Sequence, residues 1–454
     1  MQGNHLLKKV DFTPEMKQTH TILVPQMLPV HFDLLRKVMR KWGYRLEVLK
    51  TDHKGIAEEG LKNVHNDTCY PALLVIGQFI DALKSGEYDL DKTALMLTQT
   101  GGGCRASNYI ALLRKALDKN GFGHIPIISL NFSGLEKSSG FALTLPMLLK
   151  VVYALLYGDF LMCIYNQCIP YERTAGDTAS MLDRWTDRLA EQLEESVFPK
   201  LQKTYRAILN DFAALPMDRS APKIKVGIVG EIYLKYAPLG NNHLEDYLVK
   251  EGMEVVNSGL LDFILYCIQN GIFDKELYDM GGNGYYAYRI ARHYVARKQH
   301  QMIAVIKQHG VFTPPADFTK VVDMAKDYLG HGVKMGEGWL LTAEMLELIH
   351  SGVSNIISAQ PFGCLPNHIV AKGMMRKIKD NYPEANIVAI DYDPGASVIN
   401  QENRIKLMLA NARLKQQGGE SAARQQPAGP PVDLSEEILQ TPKIGNYTVP
   451  AAKV

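Results

Sequence analysis

Short apolar runs of strand length alternate with segments of helical period along this chain, and the alternation starts twice. That pattern leaves few folds open. Strands separated by helix-length connections pair in parallel, with helices covering both faces of the sheet. In the first half, strands are expected at 21–24, 45–49, 94–98 and 125–131, and the clearest helices at 70–83 and 106–117. In the second half, strands are expected at 224–229, 254–257, 355–358 and 387–390, with a closing helix over 400–414. The expected fold class is therefore α/β: two similar Rossmann-like domains with four-stranded parallel sheets, plus helical insertions.

The polar, Pro-containing stretch LPMDRSAPK at 215–223 marks the break between the halves. The expected organisation is a first α/β domain over 1–143 and a long helical region over 144–218. A second α/β domain then spans 219–414, with a helical insert at about 260–349. Residues 415–454 read as a flexible tail, because Gln, Gly, Ala and Pro dominate its start. The run 143–162 is apolar enough to suggest a membrane span, but Lys150 and Asp159 interrupt it. Each charge would cost roughly 2.5–3.5 kcal/mol at mid-bilayer, so a buried helix is the expectation. The first twenty residues carry no apolar core of signal-peptide length. A soluble, cytoplasmic protein with no membrane partner follows as the expectation.

Charge narrows the partners. The formal net charge is +2 over 454 residues, which provides no field for nucleic acid or anionic lipid. Six cysteines are too few and too irregular for a secreted disulfide scaffold, and no C-x-x-C pair supports a zinc ribbon or a thioredoxin-like site. Thiols are left for chemistry.

Where they fall is informative. The third strands of the two halves end alike, in ALMLTQTGGGCRASNYI and NIISAQPFGCLPNHIV, each a strand, a Gly-containing loop, a Gly-Cys pair and a helix. Matching positions in similar halves point to duplication. Ligands of open α/β sheets gather at the carboxyl ends of the strands, where Cys104 and Cys364 sit. Cys69 has a comparable setting, with Asp67 or Thr68 as the expected cap and Pro71 near the helix start. A helix N-terminus lowers a thiol's pKa, which suits a ligand thiolate. Burial as three small hydrophobes is the plain alternative. Cys163, Cys168 and Cys267 lie in apolar segments and are expected to be core residues.

Around these cysteines, Arg105, Ser107 and Asn108 either donate hydrogen bonds to a bound anion or cluster sulfide or cap the helix. The loop at 101–103 has neither the GxxxxGK[ST] nor the GxGxxG spacing, so a nucleotide cradle and a dinucleotide-dependent oxidoreductase lack their fingerprint. Glu231 ends the first strand of the second half and Glu337 sits in a Gly-flanked turn. With His368 they are the catalytic candidates, against a structural role for each.

The segments NDTCYP around Cys69, GGGCRASNY around Cys104 and PFGCLPNH around Cys364 resemble the iron–sulfur components of the 2-hydroxyacyl-CoA dehydratase family, the 2-hydroxyglutaryl-CoA dehydratase type, and their relatives the double-cubane cluster proteins. GEIYLK, GEGWLLTAEM and AIDYDPGAS add to a likeness that spans roughly 19–412. It looks closest to the dehydratase-like module found with activator ATPases in large bacterial proteins. The resemblance implies that Cys69, Cys104 and Cys364 hold a [4Fe–4S] cluster, alone or as part of an [8Fe–9S] double cubane. It implies an ATP-dependent activator as electron donor, a homo- or heterodimer, and oxygen sensitivity. In the dehydratases the electron enters a CoA thioester and a ketyl radical loses water, whereas double-cubane proteins reduce small molecules. The alternative is a cluster-bearing or scaffold subunit that catalyses nothing alone.

Overall fold

Each half of the chain forms its own four-stranded parallel sheet in the computed structural model, which describes residues 9–100, 103–130, 138–195, 198–282 and 284–416. The first sheet holds β1 (Thr21–Pro25), β2 (Arg45–Leu49), β3 (Thr93–Thr98) and β4 (Ile127–Leu130) in the order β2-β1-β3-β4. The second holds β5 (Lys225–Gly230), β6 (Glu254–Asn257), β7 (Asn355–Pro361) and β8 (Asn386–Tyr392) in the order β6-β5-β7-β8. One half repeats the topology of the other. All pairings are parallel, so both faces of each sheet need helices, and the inner strands are buried along nearly their whole length.

Where element ends differ from the sequence reading, the cause is local. β4 starts at Ile127 because Pro126, which has no N–H, offers only its carbonyl, to Leu95. β7 runs on to Pro361: Gln360 and Pro361 pair with Asp391 and Tyr392 of β8, although Ala-Gln-Pro reads as a loop. The helix expected at 106–117 opens as a 3₁₀ turn, Arg105–Asn108, before the α-helix Tyr109–Lys119. The region 145–212 divides into Leu145–Asn166, Asp177–Glu195 and Leu201–Ala213. The insert contains the helices Leu260–Tyr278, Gly284–His309, Phe318–Met324 and Trp339–His350. Most of the expected tail, 417–454, lies outside the described residues, as do Gly101, Gly102 and Asn131.

The two helical segments, far apart in sequence, share one core. Tyr153, Phe160 and Tyr205 from the first pack in the same cluster as Leu261, Tyr266, Met302 and Trp339 from the insert. The two sheets also meet in one apolar core, with Leu73 and Ile110 from the first half and Leu234 and Tyr392 from the second.

Helix Leu145–Asn166 is long and apolar enough to cross a membrane, but it is packed as a core helix with most of its length covered. Its two charges are its anchors. Lys150, 2% exposed, donates to the carbonyls of Leu193 and Glu194 at the end of helix Asp177–Glu195. Asp159 is 5% exposed and accepts from the Leu260 and Leu261 amides, at 2.8 and 2.9 Å, which open helix Leu260–Tyr278. It also lies 2.7 Å from His31 Nε2 of helix Pro29–Arg40. This clasp ties three helices from both halves at one buried carboxylate. Gly259 permits the approach, since a Cβ there would stand 2.2 Å from Asp159 Oδ2.

Candidate functional site

In each sheet the chain leaves the first strand to one side and returns on the other, so a crevice opens between β1 and β3 and between β5 and β7. Residues just past the carboxyl ends of those strands face such a crevice. Cys104 follows β3, and Glu231 and Cys364 follow β5 and β7.

The fold brings Cys69 and the second half's Gly-Cys turn together. Cys69 is the N-cap residue of helix Tyr70–Lys84 itself, in place of Asp67 or Thr68 as the sequence suggested. The Tyr70 amide donates to the Phe362 carbonyl at 3.0 Å. Gly363 has φ +72° and lies so close that a Cβ would stand 3.1 Å from Cys69 Cα, so only glycine fits the turn without strain. Cys104 caps the turn Arg105–Asn108 and lies under the loop 333–338. A Cβ on Gly336 of that loop would stand 4.0 Å from Cys104 Sγ and 3.2 Å from Pro366, two residues past Cys364. The Gly103 amide donates to Met335 Sδ at 3.3 Å, and Tyr266 Oη holds the loop by donating to the carbonyls of Lys334 and Gly336.

Each sulfur sits at a helix or turn start, where a nearby backbone N–H favours its thiolate: Ala72 for Cys69, Ala106 for Cys104 and Asn367 for Cys364. Two sulfurs also have a side-chain partner. Tyr109 Oη lies 3.2 Å from Cys69 Sγ, and Asn367 Nδ2 donates to Cys364 Sγ at 3.2 Å. The sequence pointed to lowered thiol pKa values, and the structure reverses that sign. Burial pushes all three thiols up, Cys104 to about 11, and the Glu231 carboxyl adds to it at each of them; the N–H groups oppose without prevailing. Without a bound cation these thiols keep their protons.

Glu337 is 7% exposed and accepts from the Ile232 amide at 2.9 Å, while Glu231 accepts from the Leu234 amide at 2.9 Å as the cap of helix Ile232–Tyr236. Both carboxyls are raised, Glu231 to about 8, first by desolvation and then by a nearby carboxylate, that of Glu337 for Glu231 and of Glu344 for Glu337. The folded chain therefore keeps a proton on Glu231 between about pH 4.5 and about pH 8 that the unfolded chain has released. Because the unfolded state binds fewer protons there, stability contributed at this site falls as pH rises through that window. We expect Glu231→Gln to flatten that fall. Urea midpoints of the metal-free proteins across the window check it: the variant gains on the parent as pH rises, and a constant difference would reject the assignment.

The other candidates lie differently. Ser107 Oγ donates to the Cys104 carbonyl at 2.6 Å, closing the turn and not reaching a sulfur. Asn108 is exposed and its side chain makes no cap bond. Arg105 is exposed and acts on Cys69 through its charge alone. His368 is exposed in the π-turn Asn367–Ala371, and only its backbone amide reaches the site, donating to the Cys364 carbonyl. Cys168 is fully buried as expected and Cys163 is half-buried. Cys267 is a correction: it is exposed, on a helix whose apolar residues are spread round its axis with no single apolar face.

Sequence reasoning passed over Tyr109 and Asn367. Asn367 was findable, three residues after Cys364 at a helix start, the spacing at which a polar side chain turns back on the cap. Tyr109 follows Cys104 but bonds Cys69, and no local spacing carries that. Among the described residues, no three His, Cys, Asp or Glu side chains stand close enough to share one metal ion. Comparison with known proteins returns no matching family model and no matching curated protein.

Proposed function

We propose that this chain is an iron–sulfur protein that accepts low-potential electrons from an ATP-dependent activator and passes them to a bound substrate. The observation that carries the reading is the gathering of Cys69, Cys104 and Cys364 at one seam, each with an N–H at its sulfur. That donor set suits an iron–sulfur group, in which each thiolate binds a different iron, so the thiols stand farther apart than around a single ion. Sulfur-directed N–H and O–H groups are the features that tune such a centre. The likeness of NDTCYP, GGGCRASNY and PFGCLPNH to the 2-hydroxyacyl-CoA dehydratase type supports the same reading.

Cys69, Cys104 and Cys364 would hold a [4Fe–4S] cluster, single or as one half of an [8Fe–9S] double cubane. When bound, that group supplies one-electron storage at low potential. Around it, Glu231 holds a proton on a carboxyl oxygen at neutral pH, ready for a substrate atom that gains charge, and burial raises Glu337 in the same direction. The helix starts and loop 333–338 limit water near the sulfurs. Met335, Phe362 and Leu365 leave an exposed apolar rim beside them, suited to a small apolar substrate, a CoA thioester or a docking protein. A cytoplasmic, oxygen-free setting and a dimer belong to this proposal.

The raised thiols favour a second reading, a scaffold subunit that keeps the frame without turnover. Iron and acid-labile sulfide per chain, with EPR, on protein purified without oxygen separate the two. About four irons and a reduced-cluster signal are expected. No iron after anaerobic reconstitution would sink the first reading and leave the scaffold.

A further inference from the structure

The three sulfurs are not equivalent. Cys69 and Cys364 are buried and each has a side-chain partner, whereas Cys104 is half-buried and has a backbone N–H alone. Tyr109 is 8% exposed, and among the described residues Cys69 Sγ is the one hydrogen-bond partner of its phenol. Asn367 is fully buried, and its carbonyl oxygen has no partner while its amide points at Cys364. A buried amide with half its hydrogen-bonding capacity unmet is a cost that packing alone gives no reason to keep.

We infer that Tyr109 and Asn367 are positioning residues that set the reduction potential of this site through the Cys69 and Cys364 sulfurs, leaving Cys104 as the most electron-rich ligand. The inference rests on the cluster reading. A donor directed at a ligand sulfur withdraws electron density from it and favours the reduced, more negative state, so each donor raises the potential. The two donors come from different halves of the chain, so each half adjusts its own cysteine.

The test is a dye-mediated redox titration followed by EPR on the reconstituted full-length chain. Tyr109→Phe removes only the hydroxyl and Asn367→Leu removes the amide; each is expected to shift the potential downward with iron content kept, and together their shifts add. Site-specific 3-fluorotyrosine at 109 keeps the shape and strengthens the donor, so it is expected to shift the potential upward. A packing role predicts no such change of sign. Unchanged potentials in Tyr109→Phe and in the fluorinated protein, with iron retained, overturn the inference and leave the cluster reading intact. Should Tyr109→Phe lose its iron, the fluorinated protein decides alone. An unsubstituted chain that takes up no iron ends the cluster reading and this inference with it, a result distinct from loaded protein with unmoved potentials.

Discussion

If the proposed cluster is present, Cys104→Ala is expected to take the anaerobically reconstituted protein from about four iron atoms per chain to well under one. The size of that loss follows from what the site offers. With three thiols proposed as the ligands, removing one leaves two, one from each half of the chain. Cys104 is the informative choice because it is half-buried and its side chain makes no hydrogen bond to a neighbouring side chain, so the substitution opens little cavity. Far-ultraviolet circular dichroism should match the parent. Cys163→Ala, which removes a thiol lying against Gln167 and Thr313 in the helical region, serves as the control and should keep the iron. Colorimetric iron and acid-labile sulfide on all three proteins give the answer, and a Cys104→Ala protein that still holds about four irons would remove Cys104 from the site.

The largest loss of stability is expected from Asp159→Ala. Its carboxylate satisfies two amides at the start of helix Leu260–Tyr278 and the His31 ring, all in the interior. Alanine leaves those three donors buried without a partner, and breaking a buried pair of this kind costs about 3–5 kcal/mol. Asp159→Asn should fall between, since one amide oxygen can still accept from the helix start while its NH₂ offers no acceptor. Urea unfolding checks this through the midpoint, with the slope unchanged if the same surface is exposed. A midpoint within error of the parent would show that the clasp contributes nothing.

The frame was legible because parallel α/β architecture writes itself in the spacing of apolar runs. The first two strands of each half were found to within a residue at either end. β7 was cut short because Pro361 reads as a stop, yet at the last position of the strand its missing N–H costs little, and the Phe362 amide next to it still donates to the Tyr392 carbonyl. The three cysteines were legible through their common place after a strand or before a helix. The sign of their pKa shift was not, since a helix start is visible in sequence while the depth of burial and the approach of Glu231 and Glu337 are tertiary facts. Cys267 misled for a related reason. A helix whose apolar residues are spread round its axis gives no phase from which to tell its outward face.

A seam makes spacing a mechanical variable. Cys69, Tyr109 and Cys104 belong to the first sheet's frame, whereas Cys364 and Glu231 belong to the second, so the separation of Cys364 from Cys69 is set by how the two frames pack, while the Tyr109–Cys69 contact is internal to one frame. The Tyr70 amide on the Phe362 carbonyl and the close seat of Gly363 against Cys69 hold that separation from across the seam. A substitution that shifts one frame against the other would therefore move Cys364 relative to Cys69 and leave the Tyr109–Cys69 contact unstretched.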